Sequence, residues 1–306
     1  MAAKSLAGKT LFITGASRGI GLAIALRAAR DGANVAIAAK TAEPHPKLPG
    51  TIFTAAEEIE RLGGKALPLL VDVRDEAAVS DAVAQTAARF GGIDVCVNNA
   101  SALNVQGTLD ITMKAFDLMQ QVNERATFMT SKYCLPWLLK SANPHVLAIA
   151  PKPVMDPAWY GEHIAYSLAK LGMSLTMMGL AHEFREQGVA ANCLWPRTII
   201  GTAAIEFGSG LKGTDDGARR LRHARRPEIM ADAAHAILTS PSRELTGQFL
   251  LDDDVLARAG VTDFSAYQID PSVPAQIDSF IWDDAPPLPA GVRLVGREPG
   301  ALDAFD

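Results

Sequence analysis

Cysteine is scarce: Cys96, Cys134 and Cys193 are the only three, far apart and each inside an apolar stretch. That spacing excludes a disulfide framework and a cysteine metal site, and suits reduced core residues. No apolar run is long enough to span a bilayer, and Met1-Ala2-Ala3-Lys4-Ser5 lacks the apolar segment of a signal peptide. The last residues, Ala304-Phe305-Asp306, carry no lipidation or peroxisomal signal. An excess of one charge is also missing: the net charge is −5 with both signs mixed. Nucleic acid and a membrane surface are therefore not expected partners. The expectation is a cytoplasmic protein without metal and without internal repeats.

What the chain does have is 306 residues, 48% of them hydrophobic, enough for one large domain with an appendage. Short apolar runs at 9–13, 34–39, 66–72, 93–97, 145–150, 189–195 and 247–251 alternate with helical patterns at 19–31, 52–63, 76–90, 112–140, 162–187 and 227–239. This rhythm predicts an α/β fold, a doubly wound parallel sheet with ligands at the carboxyl ends of its strands. Two segments interrupt it. Residues 41–51 form a proline-stiffened loop, and 255–306 hold six of the eighteen prolines with Phe280, Trp282 and Phe305. The expected division is a catalytic domain at 1–254 and a C-terminal extension at 255–306, docked as far as about Trp282 because free aromatics are unfavourable in water.

The most informative stretch is Thr14-Gly15-Ala16-Ser17-Arg18-Gly19-Ile20-Gly21, between the first strand and the first helix. A strand, a glycine turn and a helix in succession make an anion site. Unpaired N–H groups and a partial positive charge face the ligand, and glycine admits a pyrophosphate to the backbone. Candidate contacts are Gly15, Ser17, Arg18, Gly19, Ile20 and Gly21. A carboxylate for the ribose of NAD belongs about 20 residues further on. Ala39 stands there instead, followed by Lys40 and Thr41. With Arg18, Lys40 offers cations that a 2′-phosphate satisfies and a bare ribose does not, so NADP(H) is expected over NAD(H). His45 and Lys47 belong either to that pocket or to a solvated loop. Asp72, before Val73 at the end of the third strand, either receives an adenine amino group or caps the next helix. Asn98 and Asn99 at the end of the fourth strand brace a turn, with Ala100 and Ser101 lining the crevice.

Tyr166-Ser167-Leu168-Ala169-Lys170 puts a phenol and an ammonium on one face of a helix. A cation nearby favours phenolate and is expected to lower the tyrosine pKa from about 10, making an acid or base usable at neutral pH.

Thr14–Gly21, Asn98-Asn99-Ala100-Ser101, Asn123 and Tyr166/Lys170 together resemble the ordered motif set of the short-chain dehydrogenase/reductase family, over roughly residues 8–252. The segments 40–47, 71–76 and 194–198 resemble a narrower group within it, whose frequent sterol-carrier domain too few residues remain to form. The resemblance implies a Rossmann fold and an oxidoreductase that interconverts a ketone and a secondary alcohol, here of lipid-like or acyl character. Tyr166 would move the proton, Lys170 would hold the nicotinamide ribose, and Asn123 would anchor a water in the proton relay. Thr198 and Ile200 would lie beside the nicotinamide carboxamide and Thr202 near the pyrophosphate. Arg197, at a position where the family has glycine, either contacts phosphate or is a salt-bridged scaffold residue. Family members pair through the helices at 112–140 and around Tyr166, which implies a homodimer or homotetramer.

One departure carries weight. The family places a serine about a dozen residues before the tyrosine, yet 142–165 contain neither serine nor threonine. A donor aimed at developing oxyanion charge can be worth about 3–4 kcal/mol. Its absence predicts weak catalysis, as in a nucleotide-binding member of the family, or a substitute among Lys152, Tyr160 and His163. The stretch 201–226 is expected to form the substrate lid. Its cations, Lys212, Arg219, Arg220, Arg222, His223, Arg225 and Arg226, read either as a solvated face or as an attraction for an anionic substrate such as an acyl thioester. Gly201, Gly208, Gly210 and Gly213 would let it move.

Overall fold

Apolar runs bounded by turn residues become strands, and a computed structural model describes residues 5–45, 48–155, 157–161, 163–203 and 214–296. In chain order the first half is β1 (Thr10–Thr14), α1 (Gly19–Ala29), β2 (Asn34–Ala39), α2 (Ile52–Arg61), β3 (Lys65–Leu70), α3 (Glu76–Phe90), β4 (Val95–Asn98), α4 (Met113–Met119), a π-helical turn (Gln120–Arg125) and α5 (Ala126–Leu138). There follow β5 (His145–Ile149), α6 (Pro157–Gly161), α7 (Ile164–Glu183), β6 (Ala190–Trp195), α8 (Asp215–Arg222), α9 (Glu228–Leu238), β7 (Phe249–Leu251), α10 (Asp252–Arg258), a 3-10 turn (Ser265–Tyr267), β8 (Ala275–Gln276) and β9 (Leu294–Val295).

The strands β1 to β7 form one parallel sheet in the order β3-β2-β1-β4-β5-β6-β7, the doubly wound Rossmann arrangement. Register places Ile13 between Ile37 on β2 and Val97 on β4. Side chains alternate between two cores: Leu11, Ile13, Val35 and Ile37 pack on one face, Phe12, Ala36, Ala38 and Cys96 on the other. Covered on both faces, β1, β5 and β6 are buried along their whole length. Pro68, which cannot donate to a ladder, sits in the edge strand β3.

Helix starts follow local chemistry. Thr51 and Thr54 close a capping box on α2, Thr112 accepts from the Ala115 N–H on α4, and Asp75 accepts from the Ala78 N–H on α3. Asp75, not Asp72, is therefore the cap of α3. The pattern at 112–140 is not one continuous α-helix: the π turn divides it and carries Asn123. A π turn inserts an extra residue, which hydrophobic spacing does not register. One stretch has the length and composition of a bilayer span yet sits in the core of the fold. Among the described residues α7 is long and apolar enough by length and composition, with a mean hydropathy of 1.2, but more than half of it is buried inside the fold. Lys47, the lid residues 204–213 (with Gly208, Gly210, Lys212 and Gly213) and Phe305 lie outside the described residues.

Candidate active site

The glycine turn lies at the topological switch between β1 and β4. Gly15 has φ +68°, and a Cβ there would stand 2.9 Å from Ala100 Cα; one on Gly21 would collide with Asn99 Nδ2. The turn needs glycine because the β4 loop lies on it. Asn99 Nδ2 donates to the Thr14 and Gly15 carbonyls at 2.9 and 3.1 Å, while Thr14 Oγ1 accepts from the N–H groups of Asn99 and Ala100 at 3.0 and 3.1 Å. Asn99 thus braces the turn. Helix α1 begins at Arg18 without a side-chain cap and without an acid in its first turn, so its N–H groups and positive end face the turn. Thr202 comes onto this turn as well, its Cγ2 3.6 Å from where a Gly19 Cβ would be. Ser17 is buried and Ile20 half-buried beside them.

At the end of β2, Lys40 is exposed and the Thr41 carbonyl accepts from Ile52 N at 2.9 Å. Arg18 does not reach toward Lys40 unencumbered. Its Nε and Nη2 donate to the Pro49 and Gly50 carbonyls at 2.9 and 2.8 Å, and burial lowers its pKa. Arg18 therefore holds the proline-rich loop against the glycine turn. Asp72 pairs with Arg74, whose Nε lies 2.9 Å from Oδ1, and that bond holds its carboxyl below the usual range; Val73 is buried next to it.

Tyr166 and Lys170 both lie buried on α7, the ammonium 5.8 Å from the phenol ring centroid. Lys170 Nζ donates to the Ile149 carbonyl at the end of β5 at 2.9 Å. The expected lowering of the tyrosine pKa is not what the structure shows. Burial raises it, the charge of Asp278 raises it further, and the hydroxyl of Ser101, hydrogen-bonded to the phenol, works the other way. Lys170 takes the burial penalty too and falls to about 8. Desolvation outweighs the attraction of the pair because both groups are enclosed. Asn123 is fully buried; its Oδ1 accepts from Ala102 N at 2.7 Å and its Nδ2 donates to Ala102 O at 3.0 Å. That clamp fixes the residue next to Ser101.

After β6, Arg197 is the salt-bridged scaffold residue. Its Nε donates to Asp253 at 2.7 Å, its N–H to Asp252 at 2.9 Å and its Nη1 to the Pro286 carbonyl at 3.0 Å. Arg225, expected in a charged lid, is instead fully buried and donates to the other oxygen of Asp253 at 3.2 Å. The run Asp252-Asp253-Asp254 hides two buried carboxyls, and burial followed by the charge of Asp253 raises the Asp252 pKa. Thr198 and Ile200 are buried in the same loop, and Thr198 Oγ1 has no partner among the described residues. An orphaned buried hydroxyl in this loop and an uncapped helix N-terminus at the glycine turn are features that fit a bound dinucleotide.

Each of the three candidate substitutes for the missing serine has another contact. Lys152 Nζ is bound to the Asp284 carboxylate at 2.6 and 2.7 Å, Tyr160 Oη donates to the Val154 carbonyl at 2.6 Å, and the His163 ring meets Phe280 edge-on with centroids 5.9 Å apart. Ser101, recognised in the sequence only as crevice lining, is the hydroxyl that reaches Tyr166. On the outside of α4, α5 and α7, Leu118, Phe128, Leu168, Leu175 and Met178 are exposed.

A doubly wound sheet with a bare glycine turn at its switch and a buried Tyr166–Lys170 pair at its carboxyl edge defines a short-chain oxidoreductase. The family model described as short chain dehydrogenase matches residues 9–207, and the chain belongs to that family, whose members bind NAD(P). The chain is similar to hydroxysteroid dehydrogenase-like protein 2 of Danio rerio, 55% identical over 276 residues, which are 90% of this chain and 64% of that protein. It is 50% identical to the Homo sapiens protein of the same name over 98% of this chain and 69% of that one. The chain thus spans about two thirds of these relatives. A solved short chain dehydrogenase of Mycobacterium thermoresistibile superposes with a TM-score of 0.87 at 49% identity, covering 94% of this chain and 100% of the other.

Proposed function

We propose that this chain is an NADP(H)-dependent oxidoreductase interconverting a ketone and a secondary alcohol on a lipid-like or acyl substrate. The observation that carries the reading is the enclosure of Tyr166 and Lys170, one helical turn apart, at the strand ends beside the glycine turn. A bound nicotinamide dinucleotide supplies or accepts the hydride. Gly15, Ser17, Gly19, Ile20, Gly21 and Thr202 would hold its pyrophosphate, Asp72 and Val73 its adenine, Asn99, Ala100 and Ser101 the adjoining wall, and Thr198 and Ile200 its carboxamide. Lys40, exposed at a strand end that has no carboxylate, supports NADP(H) over NAD(H).

In reduction, Tyr166 Oη gives its proton to the carbonyl oxygen; in oxidation it takes the proton from the alcohol. Its raised pKa keeps the phenol protonated at neutral pH, ready for the first of these. Lys170, mostly charged below about 8, offsets the phenolate that forms when the proton leaves. Ser101 donates to the phenolate, while Asn123 holds its loop through Ala102. Turnover of a carbonyl panel with NADPH and with NADH tests the reading. It expects reduction with a preference for NADPH.

The absence of serine and threonine from 142–165 favours a second reading, a nucleotide-binding member with little catalysis. Cofactor binding without turnover of any carbonyl would select it. We further propose a cytoplasmic homodimer or homotetramer in which the apolar outer faces of α5 and α7 are covered by another copy.

A further inference from the structure

We propose that Phe280 is the aromatic wall of the substrate pocket and that it admits slender, unbranched chains to Tyr166. The inference rests on the carbonyl–alcohol reading and deepens it by assigning a specificity-determining residue outside the sheet domain.

The C-terminal segment is laid across the site by three sets of contacts. First, it runs antiparallel beside the loop after β6: Ile199 N donates to the Gln276 carbonyl at 3.0 Å, Asp278 N donates to the Arg197 carbonyl at 2.9 Å, and Thr198 bridges to Ile277. Next, Asp278 Oδ1 accepts from both Trp195 Nε1 and Phe280 N, each at 2.9 Å, which bends the chain inward. Beyond the bend, Lys152 in the loop after β5 grips Asp284 at 2.6 and 2.7 Å. The segment is therefore pinned to the carboxyl ends of two adjacent strands, and Phe280 lies between the pins.

Between them the Phe280 ring sits edge-on to Tyr166, His163 and Trp195, with centroid separations of 5.7, 5.9 and 6.0 Å. It is only 7% exposed. Edge-to-face rings at such separations attract one another and resist displacement. The catalytic phenol is thus walled on one side by an apolar ring from the tail. A substituent branching next to the reacting carbonyl would need the volume that Phe280 fills, and an extended chain would not. The same contacts explain Lys152: at the loop where the family has its serine, this chain has the latch for the tail.

The test uses the full chain and the variants Phe280→Ala, Phe280→Leu and Phe280→Trp, with melting temperature as the check on folding. For each, kcat/KM is measured on a linear methyl ketone and on a ketone branched next to the carbonyl, and binding of the same pair is measured by calorimetry with oxidised dinucleotide present, when no ketone is reduced. The branched-to-linear ratio is expected to rise tenfold or more in Phe280→Ala, less in Phe280→Leu, and to fall in Phe280→Trp. Equal ratios in all folded variants overturn the assignment. Ratios that shift in binding while the parent turns over no carbonyl leave the wall in place and overturn the catalytic reading. No ketone bound by any variant overturns both.

Discussion

Asn123 grips both backbone groups of Ala102, accepting from its N–H at 2.7 Å and donating to its carbonyl at 3.0 Å. The bonds span 21 residues and join the π turn to the loop that presents Ser101. A buried amide that satisfies two backbone groups leaves both unpaired when it is removed, a cost of about 1–3 kcal/mol. Asn123→Ala is expected to lose that much in urea unfolding and to lower kcat at least tenfold through the loosened Ser101 loop. Unchanged kcat at reduced stability would confine Asn123 to a structural role.

A second expectation concerns acid. His145 is fully buried on β5, and burial lowers its pKa to about 4 from an ordinary value near 6.5. The unfolded chain binds this proton more readily, so stability is full above about 6.5 and falls as pH drops toward 4. The shift corresponds to about 3 kcal/mol lost across that window. Urea unfolding against pH measures it, and His145→Asn should flatten the slope; an equally steep slope in the variant would assign the loss to other groups.

These expectations rest on features the sequence displays unequally. The strands were legible because a strand covered on both faces is an apolar run, and the Tyr166–Lys170 pair because helical spacing alone brings the two residues together. The Arg225–Asp253 pair was not: in sequence both residues belong to charged runs, and the partners lie 28 residues apart. Nor was the direction of the Tyr166 shift, since spacing reveals the neighbouring cation but not the depth of burial that outweighs it. The aromatics of the tail announced that it would seek cover, while nothing in their composition names Tyr166 and Trp195 as the surfaces they meet. The π turn left no trace because it changes hydrogen bonding, not residue type.

On the proposed mechanism, Lys170 is expected to set the alkaline limit of activity. Its pKa of about 8 in the buried site means the charge is present below that pH and is lost as pH rises through it. The pH profile of kcat/KM, which reports the free enzyme, should decline above about 8. Lys170→Arg keeps the charge and is expected to move the decline to higher pH. A profile that is flat to pH 10 would contradict the assigned role.

Association should depend on the outer faces of α5 and α7. Phe128 is 56% exposed and Leu168 is 41% exposed, on neighbouring helices. Sedimentation of the parent is expected to give a dimer or tetramer, and Phe128→Glu with Leu168→Glu a monomer. A parent that sediments as a monomer would contradict it.

The measurement that bears most directly on the account is single-site: carbonyl reduction with NADPH by the parent and by Tyr166→Phe, with NADPH affinity measured in parallel. Removing the phenolic proton should lower kcat by roughly 100-fold or more, the usual worth of a positioned acid, and leave NADPH affinity unchanged. Equal kcat in the two proteins would contradict the account.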